Sequence, residues 1–201
     1  MKRREAGFTL TELMVVVSII GILVTMAIVY LRPRPRPIDI ANRVGDLARE
    51  ASRRAVALGP VRTDVVTTLG IKARTRITAA ASGTVDLPTV TFTLDLLQEG
   101  APGAASWNAV MTYTTDPKVR AVDWRQDVVP YTTATAAAWS GFESRCSPDG
   151  TCQARTLFFQ ADLPGPSCDP AAASPQPLYE QCAKLAIMPL GGSINTHTDW
   201  N

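Results

Sequence analysis

The chain has a single histidine, His197, close to its carboxyl end. That scarcity argues against histidine-based catalytic triads and multi-histidine metal sites. The 201 residues also lack a Gly-x-Ser-x-Gly nucleophile turn, a Walker-type phosphate loop and a dinucleotide-binding glycine signature, so the usual motifs of hydrolases, nucleotide hydrolases and dehydrogenases are missing. No enzyme activity and no cofactor are expected. Excess charge of one sign is absent as well. Twenty basic residues against 18 acidic ones give a net charge of +2, far from the basic excess of a nucleic-acid binder, and no nucleic-acid partner is expected. Aromatic residues make up only 6% of the chain. Trp107, Trp124, Trp139 and Trp200 are scattered, and each reads as a core or loop anchor rather than a sugar-binding platform. Asp123 and Asp127, which flank Trp124, read as exposed loop carboxylates.

One stretch lacks charge altogether. Between Leu13 and Leu31 the only ionisable side chain is that of Tyr30. A basic leader, Lys2-Arg3-Arg4, ends in Glu5-Ala6-Gly7, and the apolar run follows from Phe8 to Leu31. As a helix that run would be about 36 Å long at 1.5 Å per residue, enough to cross a hydrocarbon core of about 30 Å. A cleaved secretory signal would have a shorter apolar region and a small-residue cleavage site of the Ala-x-Ala kind, and neither is found here. Glu12 is the anomaly in the run. A charged side chain in the middle of a bilayer helix costs about 2.5–3.5 kcal/mol, and less near an end. Cleavage between Gly7 and Phe8 would place a new amino group four residues before Glu12. That amine has an ordinary pKa of about 7.7–8.0 and is cationic at neutral pH, and the helix dipole also favours an acid near the helix N-terminus.

Four cysteines, Cys146, Cys152, Cys168 and Cys182, occupy the last third of the chain. An even number beyond a membrane segment fits an oxidising compartment. Three pairings are possible. The local one, Cys146 with Cys152 and Cys168 with Cys182, is favoured because Ser147-Pro148-Asp149-Gly150 is a good turn sequence that would bring the first pair together. The gaps do not resemble the short spacings of zinc ligands, so no metal site is expected.

The segment 32–37, Arg32-Pro33-Arg34-Pro35-Arg36-Pro37, cannot continue a regular helix and reads as an extended linker. Its arginines suit anionic lipid heads or acidic neighbours. From Asp39 to Leu58 a helix is expected, with Ile40, Val44, Leu47, Ala51, Ala55 and Leu58 forming one apolar stripe. Asp39 is the expected N-cap, Glu50 and Arg54 an i,i+4 pair, and Gly59-Pro60 the stop. Short β-runs follow at Val61–Leu69, Ile71–Ala79, Val90–Leu97, Ala109–Tyr113, Ala154–Gln160 and Lys184–Met188. Ala134–Ala138 and Pro164–Pro177 read as loops. The expected fold is α+β: an N-terminal transmembrane helix, a Pro-rich break, and an amphipathic helix packed on an antiparallel sheet or sandwich.

Gly7-Phe8-Thr9-Leu10-Thr11-Glu12-Leu13, followed by Val15-Val16-Val17 and Ile19-Ile20-Gly21-Ile22-Leu23, closely resembles the class III signal of type IV pilins and type II secretion pseudopilins. The resemblance implies a leader at 1–7, a filament-core and membrane helix at 8–31, and a secreted head at 38–201. It implies that a prepilin peptidase cuts between Gly7 and Phe8 and methylates Phe8, and that Glu12 guides assembly. Its implied partners are other pilins through the N-terminal helix, the inner-membrane assembly platform, and membrane lipid before assembly. Arginines on both sides of the apolar run nearly balance the positive-inside rule, so the head is placed outside the cytoplasm on the resemblance and the cysteines. Leu47-Ala48-Arg49-Glu50-Ala51-Ser52-Arg53-Arg54 before Val61, and Leu185-Ala186-Ile187-Met188-Pro189-Leu190-Gly191, are similar to motifs of H-type pseudopilins and their pilus counterparts (GspH/FimU-like minor pilins). The resemblance implies a minor subunit that primes or caps a filament, with a major subunit or a tip adhesin as alternatives.

Overall fold

A 21-residue helix, α1 (Leu10–Tyr30), forms the described part of the first of two units, Met1–Arg34 and Pro35–Asn201. The computed structural model describes residues 10–30, 35–82, 89–126, 139–161, 168, 181–189, 194–198 and 200. The leader with Gly7 and Phe8, most of the Arg-Pro linker, Asp127 and the two expected loops therefore lie outside the described residues, apart from Cys168.

The second unit begins with α2 (Pro37–Leu58). Its apolar stripe is buried up to its last turn: Ile40, Val44, Leu47, Ala51 and Ala55 belong to the main core, with Ala48 beside them, whereas Leu58, expected in the stripe, is exposed where the helix ends. Glu50 and Arg54 form the expected ion pair at 2.7 Å. The helix stops at Gly59, whose φ of 67° suits a residue without a Cβ. Its start differs from the sequence expectation. Arg36 is the N-cap and Pro37 opens the helix, so Asp39 lies inside the first turn rather than capping it. Proline is preorganised for this position and lacks a donor that would go unused there, which moves the boundary upstream. Asp39 still complements the helix dipole.

The expected strand Val61–Leu69 is a further correction. Thr63–Leu69 forms a short helix, α3, with Val65 buried and Gly70 in the left-handed region at its end. β-branched residues only weakly oppose a helix, and local contacts override them. Here the Asp64 carboxylate accepts a 2.8 Å hydrogen bond from the Gly103 N–H and pairs with Arg62.

Eight antiparallel strands complete the described part of the head. One sheet has the order β3-β2-β1-β5 and the other β4-β6-β7-β8. They comprise β1 (Thr75–Ser82), β2 (Thr89–Glu99), β3 (Ala105–Thr114), β4 (Val119–Arg125), β5 (Glu143–Cys146), β6 (Arg155–Ala161), β7 (Cys182–Ile187) and β8 (Ile194–His197). In β2 the buried Val90, Phe92 and Leu94 alternate with half-buried threonines, the two-residue period of a strand with one face on a core. β6 instead buries four consecutive residues, Thr156 to Phe159. Leu157 and Phe159 enter the main core, while Phe158 joins a second cluster with Cys168, Cys182 and Trp200. A strand covered on both faces reads as an unbroken apolar run.

The main core draws on α2 and on both sheets, with Ile77, Phe92 and Leu94 from one and Leu157, Phe159 and Leu185 from the other. Phe92 is its aromatic centre, edge-on to Trp139 at 5.7 Å and to Phe142 at 5.8 Å. Gly45 lets α2 approach β7 and β8 closely, because a Cβ there would lie 3.1 Å from Ile194 and 3.4 Å from Leu185. Asp123 corrects the expectation of an exposed loop carboxylate. It sits in β4 at 1% exposure, and Arg125 pairs with it at 2.7 Å. An irregular register between Ala121 and Asp123 breaks the alternation of β4 at this point.

Candidate functional site: the amino-terminal helix and the disulfide-tied head

α1 is apolar on every side. Its side chains from Leu10 to Ile28 are exposed, including Leu13, Val16, Ile20, Leu23 and Met26. A helix that is hydrophobic all round needs an apolar environment, and Leu10–Ile28 is long and apolar enough to cross a membrane. Its hydroxyls suit such surroundings. Ser18 Oγ donates to the Met14 carbonyl at 2.8 Å and Thr25 Oγ1 to the Gly21 carbonyl at 2.8 Å, so neither donor needs water. Glu12 occupies the first turn, where the positive end of the helix dipole favours a carboxylate. Gly7 and Phe8, the expected processing pair, lie outside the described residues.

In the head, Cys146 is bonded to Cys152 and Cys168 to Cys182. The first bond closes a tight turn in which the Ser147 N–H donates to the Thr151 carbonyl at 2.8 Å and Gly150 has a φ of 84°. Asp149 accepts hydrogen bonds from the Thr151 hydroxyl and N–H, and these hold its carboxyl below the ordinary range. The turn is tied to α2, because Ser52 Oγ donates to the Gly150 carbonyl at 3.0 Å. The second bond joins Cys168 to the start of β7, beside Phe158 and Trp200. The Trp200 indole N–H donates to the Ala183 carbonyl at 3.2 Å. Sequence reasoning missed these links from Ser52 and Trp200, since neither residue carries a local signal for a partner about a hundred or about seventeen positions away.

Arg74 was missed for the same reason. Its guanidinium donates to the carbonyls of Gly59 (2.8 Å) and Pro60 and pairs with Glu99 at 3.0 Å. This largely buried cation fixes the connection between α2 and α3.

Among known families, the prokaryotic N-terminal methylation motif matches residues 2–28. No curated protein and no solved structure matches the chain. The matched stretch joins the leader to α1, and a structural, ordinarily non-enzymatic subunit is what such a motif accompanies. The prepilin-type signal, the apolar helix behind it and the α+β head together support a type IV pilin-like protein, with an amino terminus that fits membrane anchoring.

Proposed function

We propose that the protein is a minor pilin or pseudopilin, a structural subunit that primes or caps a type IV pilus or a type II secretion pseudopilus. The methylation motif over residues 2–28 carries this reading. The proposed sequence of events begins with insertion, the leader on the cytoplasmic side of the bacterial inner membrane and the head on the other. Prepilin peptidase cuts between Gly7 and Phe8 and methylates the new amine of Phe8. The inner-membrane platform then moves α1 from lipid into a bundle of pilin helices. In that bundle the Glu12 carboxylate meets the cationic amine of a neighbouring subunit, which offsets the cost of carrying an acid through an apolar medium.

The minor role is supported by the similarity of the Leu47–Arg54 segment and of the segment around Leu185–Gly191 to H-type pseudopilins. The segment with the Arg-Arg pair lies on α2, directly before the α3 connection and the first sheet, and the second segment includes most of β7.

Glu12→Ala tests the assembly step. The variant is expected to insert in the membrane as the wild type does, because removing a charge eases insertion, and to be missing from sheared filaments. Wild-type amounts of the variant in filaments would contradict the proposed pairing.

A further inference from the structure

A groove of about 580 Å³ runs between the polar face of α2 and the end of β3. Its helix wall carries Arg43, Arg49, Arg53 and Arg54, and its strand wall includes Met111 and Tyr113. Two of the four cations are already neutralised: Arg49 pairs with Asp46 and Arg54 with Glu50, both at 2.7 Å. Arg43 and Arg53 are exposed and have no carboxylate partner among the described residues. Arg43 lies over the Tyr113 ring at 5.9 Å. Among the described residues the groove therefore presents two positive heads without an ion-pair partner, one of them over an aromatic ring, beside a thioether.

The strand wall is an open edge. Among the described residues β3 is the outermost strand of its sheet, paired only with β2. Its sequence, Ala105–Thr114, contains no charged residue and no proline, the two features that commonly blunt an exposed edge. Val110 and Met111 stand exposed on it, at 40% and 42%. Every second residue of such an edge turns its N–H and C=O away from the existing partner. Main-chain hydrogen bonding from an added strand is therefore available.

We propose that this groove docks an extended acidic segment of another protein, its main chain against the open edge of β3 and its carboxylates on Arg43 and Arg53. The spacing suits an extended chain. Ten helical residues separate the two arginines by about 15 Å along the axis. Two same-face side chains four residues apart on a strand are separated by about 13 Å. A glutamate-x-x-x-glutamate pattern in extended conformation fits that separation. A lipid headgroup would use the cations but leave the strand edge and the Tyr113 and Met111 side chains unexploited, so a peptide accounts for more of the surface. The inference is independent of whether the subunit is a minor or a major one.

The test uses the full chain in neutral detergent micelles and a fluorescent capped heptapeptide, threonine-glutamate-valine-threonine-valine-glutamate-threonine. Saturable one-to-one binding is expected, weakened about tenfold when both glutamates are replaced by glutamine. Arg43→Glu and Arg53→Glu should each weaken it about threefold or more. An unchanged melting curve would show that these exposed substitutions leave the head folded. A Met111→Lys variant, which puts a charge on the strand wall, should weaken binding of both peptides. Equal affinity for the two peptides, or binding indifferent to both arginine substitutions, would overturn the proposal. So would self-association of the chain that Arg53→Glu abolishes while peptide binding is absent, since the occupant would then be a second copy. Full displacement of the peptide by phosphatidylglycerol vesicles, with no effect of Met111→Lys, would make the groove a lipid site and equally overturn it.

Discussion

Single polar residues fasten the head at its joints, and their charge states decide how it responds to acid. Asp64 is the clearest case. The Arg62 guanidinium and the Gly103 N–H hold its carboxyl far below the ordinary carboxylate range. A folded-state pKa below the unfolded value means that the contribution is complete above the unfolded pKa, near 4, and is lost as pH falls through the folded value. Asp64→Asn should therefore melt below the wild type at about pH 6, with the difference closing toward about pH 2, because protonation removes the wild type's advantage. Thermal unfolding of both proteins across that range checks this, and a constant difference would contradict it. Asp149, held low by Thr151, loses its contribution in the same direction, but it does so in both proteins and drops out of the comparison. None of these roles was legible from the residues alone. Asp64 sits in a run of threonines and valines that reads as a strand, and its partner Gly103 is 39 positions away.

Elements were legible in proportion to how regular their surroundings are. α2 announced itself through its stripe because one face meets the core from Ile40 to Ala55. β2 did so because its buried residues alternate with half-buried threonines from Thr89 to Leu94. β4 was not legible, because a register irregularity and the paired Asp123 and Arg125 disguise a buried strand as a charged loop. β5 and β8 have four residues each, too few to establish a period. Disulfides tie two of the strands. Cys146 ends β5 and Cys168 holds β7, with sequence separations of 6 and 14. Chain-entropy arguments give about 2–3 kcal/mol for each such loop. Paired serine substitutions, at Cys146 and Cys152 or at Cys168 and Cys182, should each lower the unfolding free energy by about that amount in denaturant titration. No change in midpoint would show that the bond adds nothing to the packing already present.

At the scale of the whole molecule, the sequence separates an apolar helix with one acid from a polar, disulfide-tied head, and the two units divide near the same place, at Arg34 and Pro35. The helix was legible because a membrane or a filament core tolerates almost no charge, which leaves an obvious run. The head's pairing into two sheets was not, since strand order depends on contacts that no local pattern encodes. The account as a whole depends on processing, because the amine proposed to meet Glu12 exists only after the leader is removed. Mass spectrometry of the amino terminus of the protein recovered from filaments tests this most directly. The account predicts a chain that starts at N-methylated Phe8; a chain from filaments that still starts at Met1 would contradict it.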